Sequence, residues 1–250
     1  MRVAALYDIH GNLPALDAVL ADPSFASADA VLVGGDVVPG PMPGATVDRL
    51  LALDRPVRFV MGNGDREVVA AFDAGPPASP GGLAERGLHW TARALDQRHR
   101  DALAAFEPLV ELDVDGLGPV LFCHGSPRGD TEIVTALTPA ERLEPMLAGV
   151  TPAIVVCGHT HRQFDRPAAA CRVVNAGSVG LPYEGDAAAF WLLLGPGVEL
   201  RRTAYDVAAA VRAMGTTGAP DLDELIRESL LAPADPDRVA RYFEEQATAR

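Results

Sequence analysis

Residues 3–12 read Val3-Ala4-Ala5-Leu6-Tyr7-Asp8-Ile9-His10-Gly11-Asn12. The opening apolar run is short and unbroken, as in a buried strand. Asp8 and His10 follow it two residues apart, so on an extended chain both side chains leave by the same face. Pro14 then opens a helix with Leu16, Val19 and Leu20 at helical spacing, and Pro23 lies past its end. Ala30–Val33 is a second apolar run, ending at Gly34-Gly35-Asp36. Val47, Leu50 and Leu51 mark a second helix, and Val57–Met61 is a third strand, followed by Gly62-Asn63-Gly64-Asp65. The order β-α-β-α-β predicts a parallel sheet with helices on its faces.

Further along, Gly75–Gly82 reads as a Pro/Gly loop. Leu83–Phe106 reads as helical, with Leu95, Ala102, Leu103 and Phe106 as its buried stripe. Glu111–Asp115 and Pro119–Cys123 flank a Gly-Leu-Gly turn and predict a hairpin. Strands are expected at Ala153–Cys157, Cys171–Asn175, Ala189–Leu194 and Val198–Arg202, and helix from Asp206 onward. The expected organisation is one domain over 1–250, with a helical insert at 66–107 and a C-terminal helical segment from 206.

Composition narrows the function. The chain has 250 residues, 48% of them hydrophobic, and a net charge of −13. Such an anion is a poor partner for extended nucleic acid or an anionic membrane. All 21 basic residues are Arg, which excludes a P-loop and lysine Schiff-base chemistry. Three cysteines, Cys123, Cys157 and Cys171, form no C-x-x-C pair and read as buried thiols in a reducing compartment. No signal core and no apolar run of membrane-spanning length is seen, so a soluble, cytoplasmic protein is expected. A serine hydrolase fails on order, because no His follows His161, and no G-x-G-x-x-G follows the first strand.

Four of the six His follow strand-like runs in glycine-rich turns. His10 is joined by Cys123-His124-Gly125-Ser126 and by Gly158-His159-Thr160-His161. In a parallel sheet the carboxyl ends of strands gather along one edge, so these segments converge. The pool is Asp8, Asp36, four His and Asn63. Oxygen with imidazole suits Mn²⁺, Fe or Zn²⁺, and the lack of a Cys ligand speaks against a closed structural zinc site. Seven donors exceed one ion and suit two ions sharing a carboxylate.

These five segments resemble the motifs of calcineurin-like metallophosphoesterases, over residues 3 to about 205. Gly125-Ser126-Pro127-Arg128 and Asn175-Ala176-Gly177-Ser178-Val179-Gly180 are similar to those of its small bacterial and archaeal phosphodiesterases. The resemblance implies an α/β fold: a four-layer α-β-β-α sandwich of two mixed sheets with helices outside. It implies one metal held by Asp8, His10, Asp36 and His161 and a second by Asp36, Asn63, His124 and His159. Asp36, Asn63 and His124 are its implied catalytic residues, and a metal-bridging hydroxide its nucleophile. Two divalent ions are expected, Mn²⁺ first, with Fe, Zn²⁺, Ni²⁺ and Mg²⁺ open. The expected substrate is a small phosphodiester or nucleotide compound. Dinucleoside polyphosphates, phosphomonoesters and phosphoproteins are alternatives, and a catalytically silent scaffold is the non-enzyme alternative.

Many members of the family carry His after the motif Asn, where this chain has Gly64. The resemblance then implies that no general acid comes from this position and that Asp65 has lost the ring it would orient. Asn12, Arg66 and Arg128 are candidate phosphate contacts, weighed against a helix cap for Asn12 and surface ion pairs for the two Arg. His89, Trp90 and His99 lie in the expected insert, where an aromatic could stack on a base or pack the insert onto the core. Tyr183 stands where relatives often carry a basic residue.

Overall fold

The three apolar runs of the first sixty residues lie side by side in the computed structural model, which describes residues 1–77, 82–168, 171–220 and 226–248. They form β1 (Val3–Leu6), β2 (Ala30–Val33) and β3 (Val57–Phe59), paired in parallel. On the far side of β1, β9 (Ala189–Leu194) and β10 (Val198–Thr203) add antiparallel, giving the order β10-β9-β1-β2-β3. A second mixed sheet has the order β4-β5-β6-β8-β7. Its members are β4 (Val110–Val114), β5 (Gly118–Phe122), β6 (Ile154–Cys157), β7 (Phe164–Ala168) and β8 (Cys171–Asn175).

The layers follow from side-chain alternation. Val3, Ala5 and Tyr7 share a cluster with Val120, Phe122, Ile154 and Val156, so this core lies between the sheets. Ala4 and Leu6 point the other way, toward Leu16 and Val19 of α1 (Leu13–Leu20) and Val47 and Leu50 of α2 (Pro43–Leu51). On the second sheet, Val155 and Cys157 face outward to Leu143 and Met146 of α6 (Ala140–Met146). Central strands buried on both faces explain the unbroken apolar runs. This is the expected α-β-β-α sandwich.

The segment expected as a helical insert contains three helices: α3 (Asn63–Ala74), α4 (Leu83–Arg93) and α5 (Gln97–Ala104). Val68, Ala92, Leu95, Leu103 and Phe106 join the same cluster as Ala4 and Leu6, so these helices complete the outer layer of the first sheet. The single helix expected over Leu83–Phe106 is broken at 94–96. There Asp96 caps α5 by accepting from the His99 N–H at 2.9 Å, and His99 Nδ1 accepts from the Asp96 N–H. Strand β3 stops two residues early, and Val60 bridges to Glu107 instead. Strand β7 was not anticipated, because Pro167 interrupts its pattern; a proline is tolerated there at the sheet edge. Of the expected loop at Gly75–Gly82, residues 78–81 lie outside the described residues, as do 221–225 and 249–250 of the C-terminal segment. What is described of that segment is α7 (Val207–Gly215), a π-helical turn at Arg227–Leu231 and α8 (Pro236–Thr248).

Among the described residues no helix is long and apolar enough to cross a membrane. Cys123 and Cys157 are buried in the outer cluster of the second sheet, and Cys171 packs against its rim. Burial pushes the Cys157 thiol up to about 12, so it stays protonated. Cys157→Ala is expected to lower stability by about 1 kcal/mol, through the small void it leaves. Urea denaturation should show that loss, and Mn²⁺ uptake by the folded variant should be unchanged.

Candidate metal centre

Six of the seven candidate donors fall into two groups at the carboxyl ends of the strands, each with two buried residues and one half-buried histidine. Asp8, His10 and His161 each offer an atom within 4.8 Å of the others, and so do Asp36, His124 and His159. Asp8, His10 and Asp36 come from the first sheet and the other three His from the second, so each group spans both sheets. Asp36 lies between the groups: its Oδ2 is 3.7 Å from His10 Nε2 and 3.5 Å from His124 Nε2. Asn63 begins α3 directly after Gly62, whose backbone lies against Asp36.

The histidines are aimed by backbone carbonyls. His10 Nδ1 is 3.1 Å from the Pro39 oxygen, His124 Nδ1 2.9 Å from the Gly34 oxygen and His161 Nδ1 2.7 Å from the Leu181 oxygen. A carbonyl only accepts, so each Nδ1 carries the hydrogen and each Nε2 is turned inward as a potential ligand. His10 and His161 then bring their Nε2 atoms within 3.3 Å of each other. Two lone pairs repel at that distance unless a proton or cation lies between them. Asp8 Oδ1, Asn63 Oδ1 and His124 Nε2 are buried without a hydrogen bond, although Asp8 Oδ1 lies 3.3 Å from His161 Nε2 and His124 Nε2 3.5 Å from Asp36 Oδ2. Unsatisfied buried polar atoms are costly and call for a missing partner. The two oxygens, and the imidazole nitrogen once its proton has left, fit divalent cations.

The backbone supports the same reading. Asp8, His10, Asp36, His159 and His161 have φ of 52°, 48°, 49°, 64° and 57°. Among the described residues these are the five non-glycine residues with positive φ, and all belong to the donor set. Each such residue stores about 1–2 kcal/mol, and strain of that kind collects at functional sites.

Tyr7, fully buried, is the support that the sequence reading missed. A Cβ at Gly34 would lie 2.0 Å from its ring, and one at Gly158 2.4 Å from it. The bare glycines let β2 and β6, in different sheets, close on one aromatic ring just before Gly35-Asp36 and His159. Paired glycines ahead of strand-end ligands are a signal visible in sequence; the carbonyls that aim the histidines are not.

Electrostatics divide the imidazoles. Burial opposes charge on His124, but Asp36 beside it prevails and lifts it to about 10. Burial likewise opposes charge on His161, and Asp8 outweighs it, so His161 is raised. Burial lowers His10, and burial with the charge of His124 lowers His159 to about 4. Asp8 and Asp36 are held below the usual carboxylate range, because the facing His outweigh burial.

The remaining candidates are tied up elsewhere. Asn12 caps α1 by accepting from the Ala15 N–H at 3.1 Å and donates to the Gly180 oxygen at 2.9 Å, the capping alternative. Arg66 makes a two-pronged pair with Asp130 at 2.6 and 3.2 Å. Arg128 pairs with Glu132. Trp90 and His89 line a cleft of about 320 Å³ with Pro76, Arg93 and Pro220, sharing no residue with the donor set. His99 is held between Asp96 and Asp48.

Gly64 leaves no room for a side chain: a Cβ there would be 2.6 Å from the Val38 oxygen and 2.7 Å from Pro39 Cδ. Its N–H donates to Asp36 Oδ1 at 2.7 Å. Asp65 is not left without partners. Its carboxyl accepts from Val38 N–H at 3.0 Å and Gly62 N–H at 3.2 Å, fastening α3 to the strand-end loop. Burial, with the charge of Asp36, raises it to about 8.

The calcineurin-like phosphoesterase superfamily profile matches residues 1–194. A metallophosphoesterase from Sphaerobacter thermophilus is 25% identical with a TM-score of 0.72, over 93% of this chain and 98% of that one. A hypothetical protein from Pyrococcus horikoshii OT3 is 20% identical with a TM-score of 0.75, over 90% of this chain and 96% of that one. No curated protein matches the chain.

Two measurements check the centre. Titrating metal-free protein with Mn²⁺ should give two binding events in the wild type, and Asp36→Asn should weaken both. At pH 7, binding should also release protons, above all that of His124, which is lifted to about 10, because a cation takes only neutral imidazole. The raised pKa values fix the sign: affinity climbs as pH rises toward the folded-state values. Calorimetry in buffers of different ionisation enthalpy reads the proton count.

Proposed function

The chain belongs to the calcineurin-like phosphoesterase superfamily, and from the chemistry of its centre we propose that it is a phosphodiesterase that hydrolyses small phosphodiesters or nucleotide compounds with two divalent cations. One cation is assigned to Asp8, His10, Asp36 and His161, the other to Asp36, Asn63, His124 and His159. Mn²⁺ is the first choice for both. When bound, such ions supply Lewis acidity toward phosphoryl oxygens and lower the pKa of water. The protein's own part is placement. Carbonyls at Gly34, Pro39 and Leu181 hold three imidazoles in the tautomer that presents Nε2. Asp36 reaches toward both groups with one oxygen while the Gly64 N–H holds the other. The full donor set supports an enzyme over a scaffold of the same fold. A net charge of −13 supports a small substrate over extended nucleic acid or a membrane surface. Buried free thiols support a cytoplasmic setting.

The observation that carries the choice of diester is the packed backbone at Gly64. With Val38 and Pro39 filling the space, no side chain at this position can hand a proton to the departing oxygen. Leaving groups that are stable as anions are then favoured: aryl oxides and nucleotide phosphates, ahead of the alkoxide of phosphoserine. The steric closure also means that Gly64→His is no means of restoring an acid, since its Cβ alone meets backbone.

The test is a series of aryl and alkyl phosphate esters and diesters given to the Mn²⁺-loaded protein. Log kcat/KM is expected to fall steeply with leaving-group pKa, with a bis-aryl diester cleaved at least 100-fold faster than a phosphoserine peptide. A flat plot removes the diester preference. Full Mn²⁺ uptake without turnover of any ester leaves the scaffold reading in its place.

A further inference from the structure

Helix α8 lies outside the residues matched by the family profile, and three sets of contacts tie it to the corner of the chain that carries His161. At its start, Arg162, the next residue after His161, donates to the Pro236 oxygen at 3.0 Å and pairs with Asp237 at 3.0 Å. In its middle, the Phe243 ring lies 6.2 Å from Tyr183, and Tyr183 stacks on the His161 imidazole at 5.1 Å and 14°. Next to Phe243, Glu244 accepts from Thr135 at 2.6 Å and Thr138 at 2.7 Å, with Arg142 donating to its other oxygen. Thr160, the residue before His161, donates to the Val134 oxygen at 3.1 Å, closing the circuit.

His161 itself is held on three sides by one short segment. The Leu181 oxygen takes its Nδ1 hydrogen, the Tyr183 N–H donates to its carbonyl at 3.0 Å, and the Tyr183 ring covers its face. Its backbone is left-handed, at φ 57°, which persists only where surroundings over-determine it. We propose that Tyr183 is a positioning residue for His161 and that α8, through Phe243 and its polar anchors, braces the Asp8–His10–His161 cation position. The brace acts on one position: none of these contacts reaches Asp36, His124 or His159. This inference rests on the two-cation reading of the centre.

The test is calorimetric titration of full-length, metal-free protein with Mn²⁺, in wild type, Tyr183→Ala, Tyr183→Phe and Phe243→Ala. Loss of an orienting contact to a ligand is expected to weaken one of the two events roughly 10-fold in Tyr183→Ala. Phe243→Ala should weaken the same event by a smaller factor, and Tyr183→Phe, which keeps the stacked ring, should restore it. Thermal unfolding of the metal-free proteins provides the second readout, and Phe243→Ala carries the test if Tyr183→Ala fails to fold. Two unaltered events in the alanine variants overturn the brace and leave the two-cation reading intact. Both events weakening together, in step with a lower metal-free Tm, reduce α8 to general packing and also overturn it. A wild type that takes up no Mn²⁺ brings down both readings together.

Discussion

A carboxylate oxygen of Asp8, the amide oxygen of Asn63 and Nε2 of His124 are buried without a hydrogen-bond partner. Nearby, two imidazole nitrogens face each other across 3.3 Å. A folded chain does not gather polar atoms in this way for its own stability, because each lost its water on burial without a full hydrogen bond in return. The cost is bearable only if positive charge enters the space. The other peculiarities of this edge follow from that requirement. Five donors sit in left-handed backbone, the kind of strain that collects where a site over-determines the chain. Three imidazoles are held by carbonyls so that the lone pair has only one direction to face.

The core of the fold was legible because the central strands are covered on both sides. Val3–Leu6, Ala30–Val33 and Ile154–Cys157 are wholly buried, so burial alone dictates their composition. The donor set was legible for a related reason: polar residues placed directly after buried runs have no packing role to account for them. Strand β7 was obscure because an edge strand alternates burial and tolerates Pro167. The break between α4 and α5 turns on one capping side chain, Asp96, which competes weakly with the apolar stripe around it. What no sequence pattern exposes is the use of main-chain atoms. The Pro39 and Leu181 oxygens could belong to any residue type, and Gly34 is glycine to clear the Tyr7 ring rather than to offer its oxygen, so their identities carry no trace of this job.

Asn12 and the two arginines show how proximity in sequence misleads. All three neighbour donor residues, yet their polar groups are consumed locally. Asn12 spends its amide on a helix start and on Gly180, at 1% exposure. Arg66 and Arg128 each lie within reach of a carboxylate, and an acidic chain offers many. Gly64 teaches the converse. A residue without a side chain looked like a simple deletion, but the space it would have used is occupied by Val38 and Pro39, and Asp65 has been put to fastening the helix.

Each group of donors draws on both sheets, and Tyr7 is gripped by a glycine from each. The centre therefore has no existence on either sheet alone. A half-folded chain with one sheet formed would own Asp8, His10 and Asp36, or the three later histidines, but neither complete set. Ion capture would come late in folding, after the two halves dock, and would act as a rivet across their seam. At a free ion concentration 1,000 times the dissociation constant, each such rivet would favour the docked state by about 4 kcal/mol. Starvation for metal would then loosen the join between the sheets as well as silence the chemistry.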